Sequence, residues 1–134
     1  MSVVLTQGQR NDGTQLEAVL DTIKVPRLGR GRPRKRPERL IADKGYSKGL
    51  YRRMLRGRGI AHTIPEREDH RKRRAGRAGR PLLFDSELYA KRNVVERCVN
   101  RLKQWRGIAT RYEKRALNYR AMVLIASLMI WLSS

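Results

Sequence analysis

The sequence predicts a mixed α/β domain whose helical part comes last. Three observations carry this reading. Short apolar or β-branched runs alternate early on with segments whose apolar residues fall three and four positions apart. Two stretches rich in arginine and punctuated by proline and glycine separate these units. The last third carries two long helical patterns and no strand signal. At 134 residues the chain is one domain or part of one.

The first element is "SVVLT", Ser2 to Thr6, a short β-branched run that reads as a strand. "GQRNDG" then turns the chain. Asp12 or Thr14 is placed to cap a helix that carries Leu16, Val19, Leu20 and Ile23 on one face and stops at Pro26. Residues 26–39 hold seven basic residues, three prolines and two glycines, the composition of an exposed loop. "RLIAD", Arg39 to Asp43, is a second strand ending in a carboxylate. After Gly45, Ser47 is the expected cap of a helix with Leu50, Met54 and Leu55 on one face, ended by Gly57 and Gly59. Ile60 to Ile64 alternates as a third strand before Pro65. A second basic loop, 66–81, adds seven more lysines and arginines. Helices are expected from Ser86 or Glu87 to Trp105 and from Ala116 to Leu132.

Thirty-two lysines and arginines against twelve acids give a formal charge of +20. Such a chain repels itself, and a polyanion relieves that strain by releasing its condensed counterions. Nucleic acid is therefore the expected partner. The basic loops are the expected phosphate contacts: Arg32, Arg34, Lys35 and Arg36 in the first, Arg71, Lys72, Arg73 and Arg74 in the second. The lone Cys98 excludes an internal disulfide and a multi-cysteine zinc site. The N-terminus lacks the charged start and apolar run of a signal peptide. The apolar run 121–132 covers roughly two thirds of a bilayer core at ~1.5 Å per residue, so it reads as a buried helix. Trp105 and Trp131 read as core residues, His62 as packed or half-exposed, and His70 as solvated.

In "YAKRNVVERCVNRLK", residues 89–103, a single carboxylate stands among five cations. At about 100° per residue, Tyr89, Arg92, Glu96 and Lys103 share a stripe roughly 60° wide. Leu88, Val95, Val99 and Leu102 form an adjoining apolar face, expected to dock on the sheet. Glu96 is then either half of an i,i+4 ion pair with Arg92 or a functional carboxylate. Asp43 stands at a strand end, where open α/β sheets bind ligands. Together Asp43 and Glu96 offer hard oxygen donors suited to Mg²⁺.

Tyr89, Arg92, Glu96 and Lys103 fit the Y-x2-R-x3-E-x6-K signature, and with "ADKGYS" the chain resembles bacterial insertion-sequence transposases of the DDE class. The resemblance implies an RNase H-like catalytic fold, here incomplete. Ser2–Thr6, Arg39–Asp43 and Ile60–Ile64 would be its third, fourth and fifth strands, with the first two missing and residues 1–134 forming the C-terminal part of the catalytic domain. It implies Asp43 and Glu96 as catalytic residues and metal ligands, and Tyr89, Arg92 and Lys103 as contacts to transposon-end DNA. It also implies Mg²⁺-dependent phosphodiester hydrolysis and strand transfer in the nucleoid-associated cytoplasm of a bacterium.

The first catalytic aspartate of such enzymes has no counterpart here, and Asp12 and Asp21 are poorly placed to replace it. The chain alone is expected to be inactive, its partners being transposon and target DNA and either an N-terminal half or an intact transposase as oligomer. A non-catalytic DNA-binding remnant that regulates transposition is the alternative. A basic structural nucleic-acid protein explains the charge equally well, but not the four-position stripe.

Overall fold

A computed structural model describes residues 2–6, 11–75 and 84–133. Asn11, rather than Asp12 or Thr14, starts the first helical segment: its side chain accepts a hydrogen bond from the Gly13 amide at 2.9 Å. An Asn two residues before a free amide closes a tight Asx turn, which a 3-10 start accommodates. The 3-10 turn Asp12–Gln15 leads into α1, Leu16–Asp21. Gly13 is buried at a close approach, because a Cβ there would stand 2.5 Å from the Tyr51 hydroxyl oxygen. The chain then crosses the first basic loop, with one bridge between Val25 and Arg34, and enters β1, Arg39–Ile41.

A helix returns the chain to β2. After the 3-10 turn Lys44–Tyr46, α2 runs Gly49–Gly57 and β2 is Ala61–Thr63. β1 and β2 pair in parallel, Arg39 opposite Ala61 and Ile41 opposite Thr63. Parallel neighbours need such a crossover. Gly59, at φ +64°, takes the left-handed conformation that turns the chain out of α2.

The first core gathers i,i+4 pairs from two helices: Leu16 and Leu20 from α1, Tyr51 and Leu55 from α2, with Ile60 and Ile64 flanking β2. Leu50 is exposed, and the buried face of α2 is set by Tyr51 and Leu55 instead. Arg58, closing α2, reaches Glu17 and Asp21 on α1, each at 2.6 Å. Hydrogen bonding to Asp21 is the chief reason its pKa lies above the ordinary arginine value.

Residues expected to be loop at the start of the second basic stretch are helical. α3, Glu68–Arg74, has its acids in the first turn and its cations in the last, and Glu68 pairs with Lys72 at 3.5 Å. That order complements the helix dipole, which composition alone did not reveal. Residues 76–81 of that stretch lie outside the described residues, as do 7–10 of the first expected turn.

The helical C-terminus is more broken than its periodicity predicts. α4, Ser86–Ala90, and α5, Asn93–Lys103, replace one long helix. Between them Arg92 donates to the Tyr89 carbonyl and Val94 to the Lys91 carbonyl, i to i−3 bonds that tighten the path. α6, Arg106–Ala109, precedes α7, Ala116–Leu132, whose bounds match expectation. A second core joins Ile108, Val123 and Ala126, with Leu102, Tyr119, Met122 and Val3 against it.

Several expectations fail here. Ser2–Thr6 is not a strand: the sheet of the described residues has two strands, and this segment has no ladder to join. It instead ties the two cores, Val3 packing on the second while the Ser2 hydroxyl donates to the Val19 carbonyl at 3.1 Å. α5 does not dock on the sheet. The first core is already covered by α1 and α2, so α5 packs on α7 and α6, leaving Val95 62% exposed. α7 buries only Val123 and Ala126, and Trp131 and Trp105 are surface residues. No described helix is long and apolar enough to cross a membrane.

Leu55, fully enclosed, is the residue whose truncation should cost most. Leu55→Ala is expected to lower unfolding free energy by about 2–5 kcal/mol in urea titrations; a loss below about 0.5 kcal/mol would mean the first core is not packed as described. Burial also holds the His62 pKa below the ordinary histidine value, neighbouring arginines adding to the effect. Its neutral form is favoured in the folded state, so this stabilising contribution is present above the unfolded pKa and lost as pH falls toward the folded one. An NMR titration should find the His62 midpoint lower in the folded chain than in urea.

Candidate functional site

β1 ends where Asp43 begins the next turn. Its Oδ1 accepts the Gly45 amide at 2.8 Å, capping the 3-10 turn, and the side chain is exposed. The strand was expected to end on Asp43 itself, but the carboxylate stands two residues beyond it. The strand itself stops at Ile41, because the carboxylate captures the backbone into a cap.

Asp43 is notable for what it does not hold. Among the described residues seven of the twelve carboxylates lie in ion pairs with Arg, Lys or His, yet Asp43 is in none. Nearby Tyr46 has a pKa raised first by burial and then by the charges of Asp12 and Asp43. Both aspartates thus bear on one phenol, a neighbourhood that sequence spacing did not suggest. Asp21 is committed to Arg58.

The second group lies where α4 meets α5. The tightened junction brings residues three apart toward one face. The Arg92 guanidinium carbon stands 5.5 Å over the Tyr89 ring, a cation–π contact, and Phe84 packs against Tyr89 with 5.4 Å between ring centroids. Arg92 also reaches Glu96 at 2.5 Å. Tyr89, Arg92 and Glu96 therefore form one continuous chain of contacts, as the stripe predicted. Lys103 sits in the last turn of α5, favourable for a cation, and joins none of these contacts.

Glu96 shows the ion-pair arrangement foreseen for it. Among the described residues, no group of three or more His, Cys, Asp and Glu side chains is gathered to hold a metal. Asp43 and Glu96 have the right donor chemistry for Mg²⁺ but do not by themselves make a full carboxylate set.

The cations of the first loop line a concave surface of about 760 Å³ that includes Arg32, Arg34, Lys35 and Arg36. Arg34 is held by Glu38 at 2.8 Å, and Arg36 donates to the Arg58 carbonyl at 3.4 Å. Arg71, Lys72, Arg73 and Arg74 lie on α3, with Arg74 paired to Glu66 at 2.8 Å. Sequence reading missed Arg52, which is buried, and the contact of Ser47 with His70 at 3.4 Å. Ser47 is not the side-chain cap of α2, and His70 is half-buried rather than solvated.

An acidic turn after a strand, a Tyr-Arg-Glu contact chain and basic surfaces thus stand together in one small α/β chain. The family model described as "Transposase DDE domain" matches residues 1–132, and the chain belongs to that family. It is 35% identical over 116 residues to a putative transposase for insertion sequence element IS402 of Burkholderia cepacia, covering 87% of this chain and 49% of that relative. The chain thus spans about half the length of the curated relative it matches. No solved structure matches it.

The Arg92–Glu96 pair is exposed and spaced i,i+4, so its own contribution should be small. A double-mutant cycle with Arg92→Ala and Glu96→Ala is expected to give a coupling of about 0.3–0.5 kcal/mol in denaturant titrations. A coupling above about 1.5 kcal/mol would show that Arg92 serves Glu96 structurally and is not free for an anion.

Proposed function

We propose that the chain is the C-terminal part of a transposase catalytic domain of RNase H-like type, and that it grips insertion-sequence DNA through its cations. Asp43 and Glu96 would be two of the carboxylates that hold a divalent metal, Mg²⁺ by donor chemistry, with a third supplied by an N-terminal segment or a second transposase chain. The observation that carries this reading is Asp43: an exposed strand-end carboxylate without an ion-pair partner, in a family member of charge +20. When bound, such a metal activates water and stabilises charge on the phosphodiester oxygens.

The chain's own residues do the rest. Arg92 can leave Glu96 for a phosphate, exchanging one anion for another while staying on the Tyr89 ring. Lys103 adds a point charge, and the loop cations supply affinity without reading sequence. Transposon ends, target DNA and a second transposase chain or N-terminal segment are the partners of this reading, in the bacterial cytoplasm beside the chromosome. A second reading, a DNA-binding regulator of transposition without its own cleavage, is favoured by the finding that no three acidic, His or Cys side chains gather for a metal among the described residues.

Two measurements separate these. Combined with the remaining segments of a transposase of this family, the chain should nick insertion-sequence ends in Mg²⁺. Glu96→Gln should reduce nicking by roughly a thousandfold or more while changing DNA affinity by less than about threefold. Nicking that survives Glu96→Gln removes Glu96 from the site, and none with the wild-type chain leaves the regulator. DNA affinity should fall about 10³-fold between roughly 50 and 200 mM salt if about six phosphates are contacted.

A further inference from the structure

A second concave site lies beside the strand-end turn, between the start of α2 and α3, with a volume of about 340 Å³. Three arginines line it against one glutamate. Arg52 is only 9% exposed and is fixed by two carbonyls, donating from Nη2 to Ile64 at 2.8 Å and from Nε to Ser47 at 3.3 Å. Arg74 donates from Nη2 to Glu66, but its Nε–H is buried with no acceptor. Arg73 stands at the rim, exposed and without an ion-pair partner among the described residues. A buried donor left unsatisfied beside an immobilised cation is costly unless an anion completes it.

Two further groups point the same way. The Ser47 side chain, 4% exposed, lies within 3.4 Å of His70 Nδ1, and both line the site. α2, nine residues long, opens at Gly49 on the same wall and has no side-chain cap, so its first amides and dipole remain open to a negative group.

We infer that this pocket binds a phosphate group, held by the guanidiniums of Arg73 and Arg74, the Ser47–His70 pair and the open N-terminus of α2. Donors arriving from a helix end and from two guanidiniums suit a tetrahedral oxyanion better than a planar carboxylate. The pocket is open on one side and larger than a phosphate, which leaves room for a sugar attached to it. Ser47 also closes the 3-10 turn that Asp43 opens, so a phosphate seated here lies beside the strand end where Asp43 stands. Only the source of the phosphate, a DNA backbone or a free ion, rests on the proposed DNA-binding function.

The test uses the whole chain and inorganic phosphate. NMR of arginine Nε–H groups should show a saturable shift at Arg74 as phosphate is added, and calorimetry should find about tenfold weaker phosphate binding in Arg73→Gln and in Arg74→Gln. Arg73→Gln breaks no ion pair, so its fold should be unchanged by circular dichroism. Displacement of phosphate by short duplex DNA assigns the site to a backbone phosphate. A saturable shift that DNA does not displace assigns it to free phosphate, and wild-type chain that binds phosphate but no DNA removes only the proposed function. No saturable shift at Arg74, or wild-type affinity in both variants, overturns the pocket even where the chain binds DNA elsewhere.

Discussion

Uncompensated positive charge is the constraint on which the rest of this structure depends. With twenty more cations than acids, each carboxylate matters to the fold. Most of those described are spent on it: Glu17 and Asp21 tie α1 to the end of α2 through Arg58, Glu66 holds Arg74, and Glu68 steadies α3. Others cap, as Asp85 does by accepting the Leu88 amide at 2.8 Å. Against this background an acid without a cationic partner carries information. Asp43 is one of five such acids, and the one placed just past the end of a parallel strand.

The two carboxylates proposed as metal ligands are positioned differently. Asp43 is positioned by backbone geometry: a short ladder, then a cap that fixes the side chain two residues from the amide it accepts. Glu96 is positioned by side chains, through Arg92, whose place over Tyr89 follows from the tightened α4–α5 junction. Backbone-set groups are rigid, whereas a surface ion pair exchanges partners readily. That difference suits the proposed function, in which a phosphate takes Arg92 and releases Glu96.

Much of this was legible in the sequence where local chemistry decides. The α7 boundaries, the helix after Gly45, the two short strands around it and the Tyr89-Arg92-Glu96 grouping follow from periodicity and spacing. What was not legible depends on long-range partners. "SVVLT" has strand-forming residues but no neighbouring strand among the described residues, so it spans the two cores instead. The apolar stripe of α5 was visible, but not that the helix would pack on α7 and α6 instead of the sheet and leave Val95 and Val99 exposed. Nothing local marks Arg52 for burial, which depends on carbonyls from Ser47 and Ile64 that only the fold brings near.

The most direct test of this electrostatic account is the melting temperature of the chain against salt, with and without duplex DNA. Screening should raise it in the DNA-free chain, because self-repulsion dominates. Stoichiometric DNA should raise it further at low salt, and that advantage should vanish as salt displaces the chain from phosphate. A DNA-free chain that loses stability with added salt, and that gains none from DNA, would contradict the account.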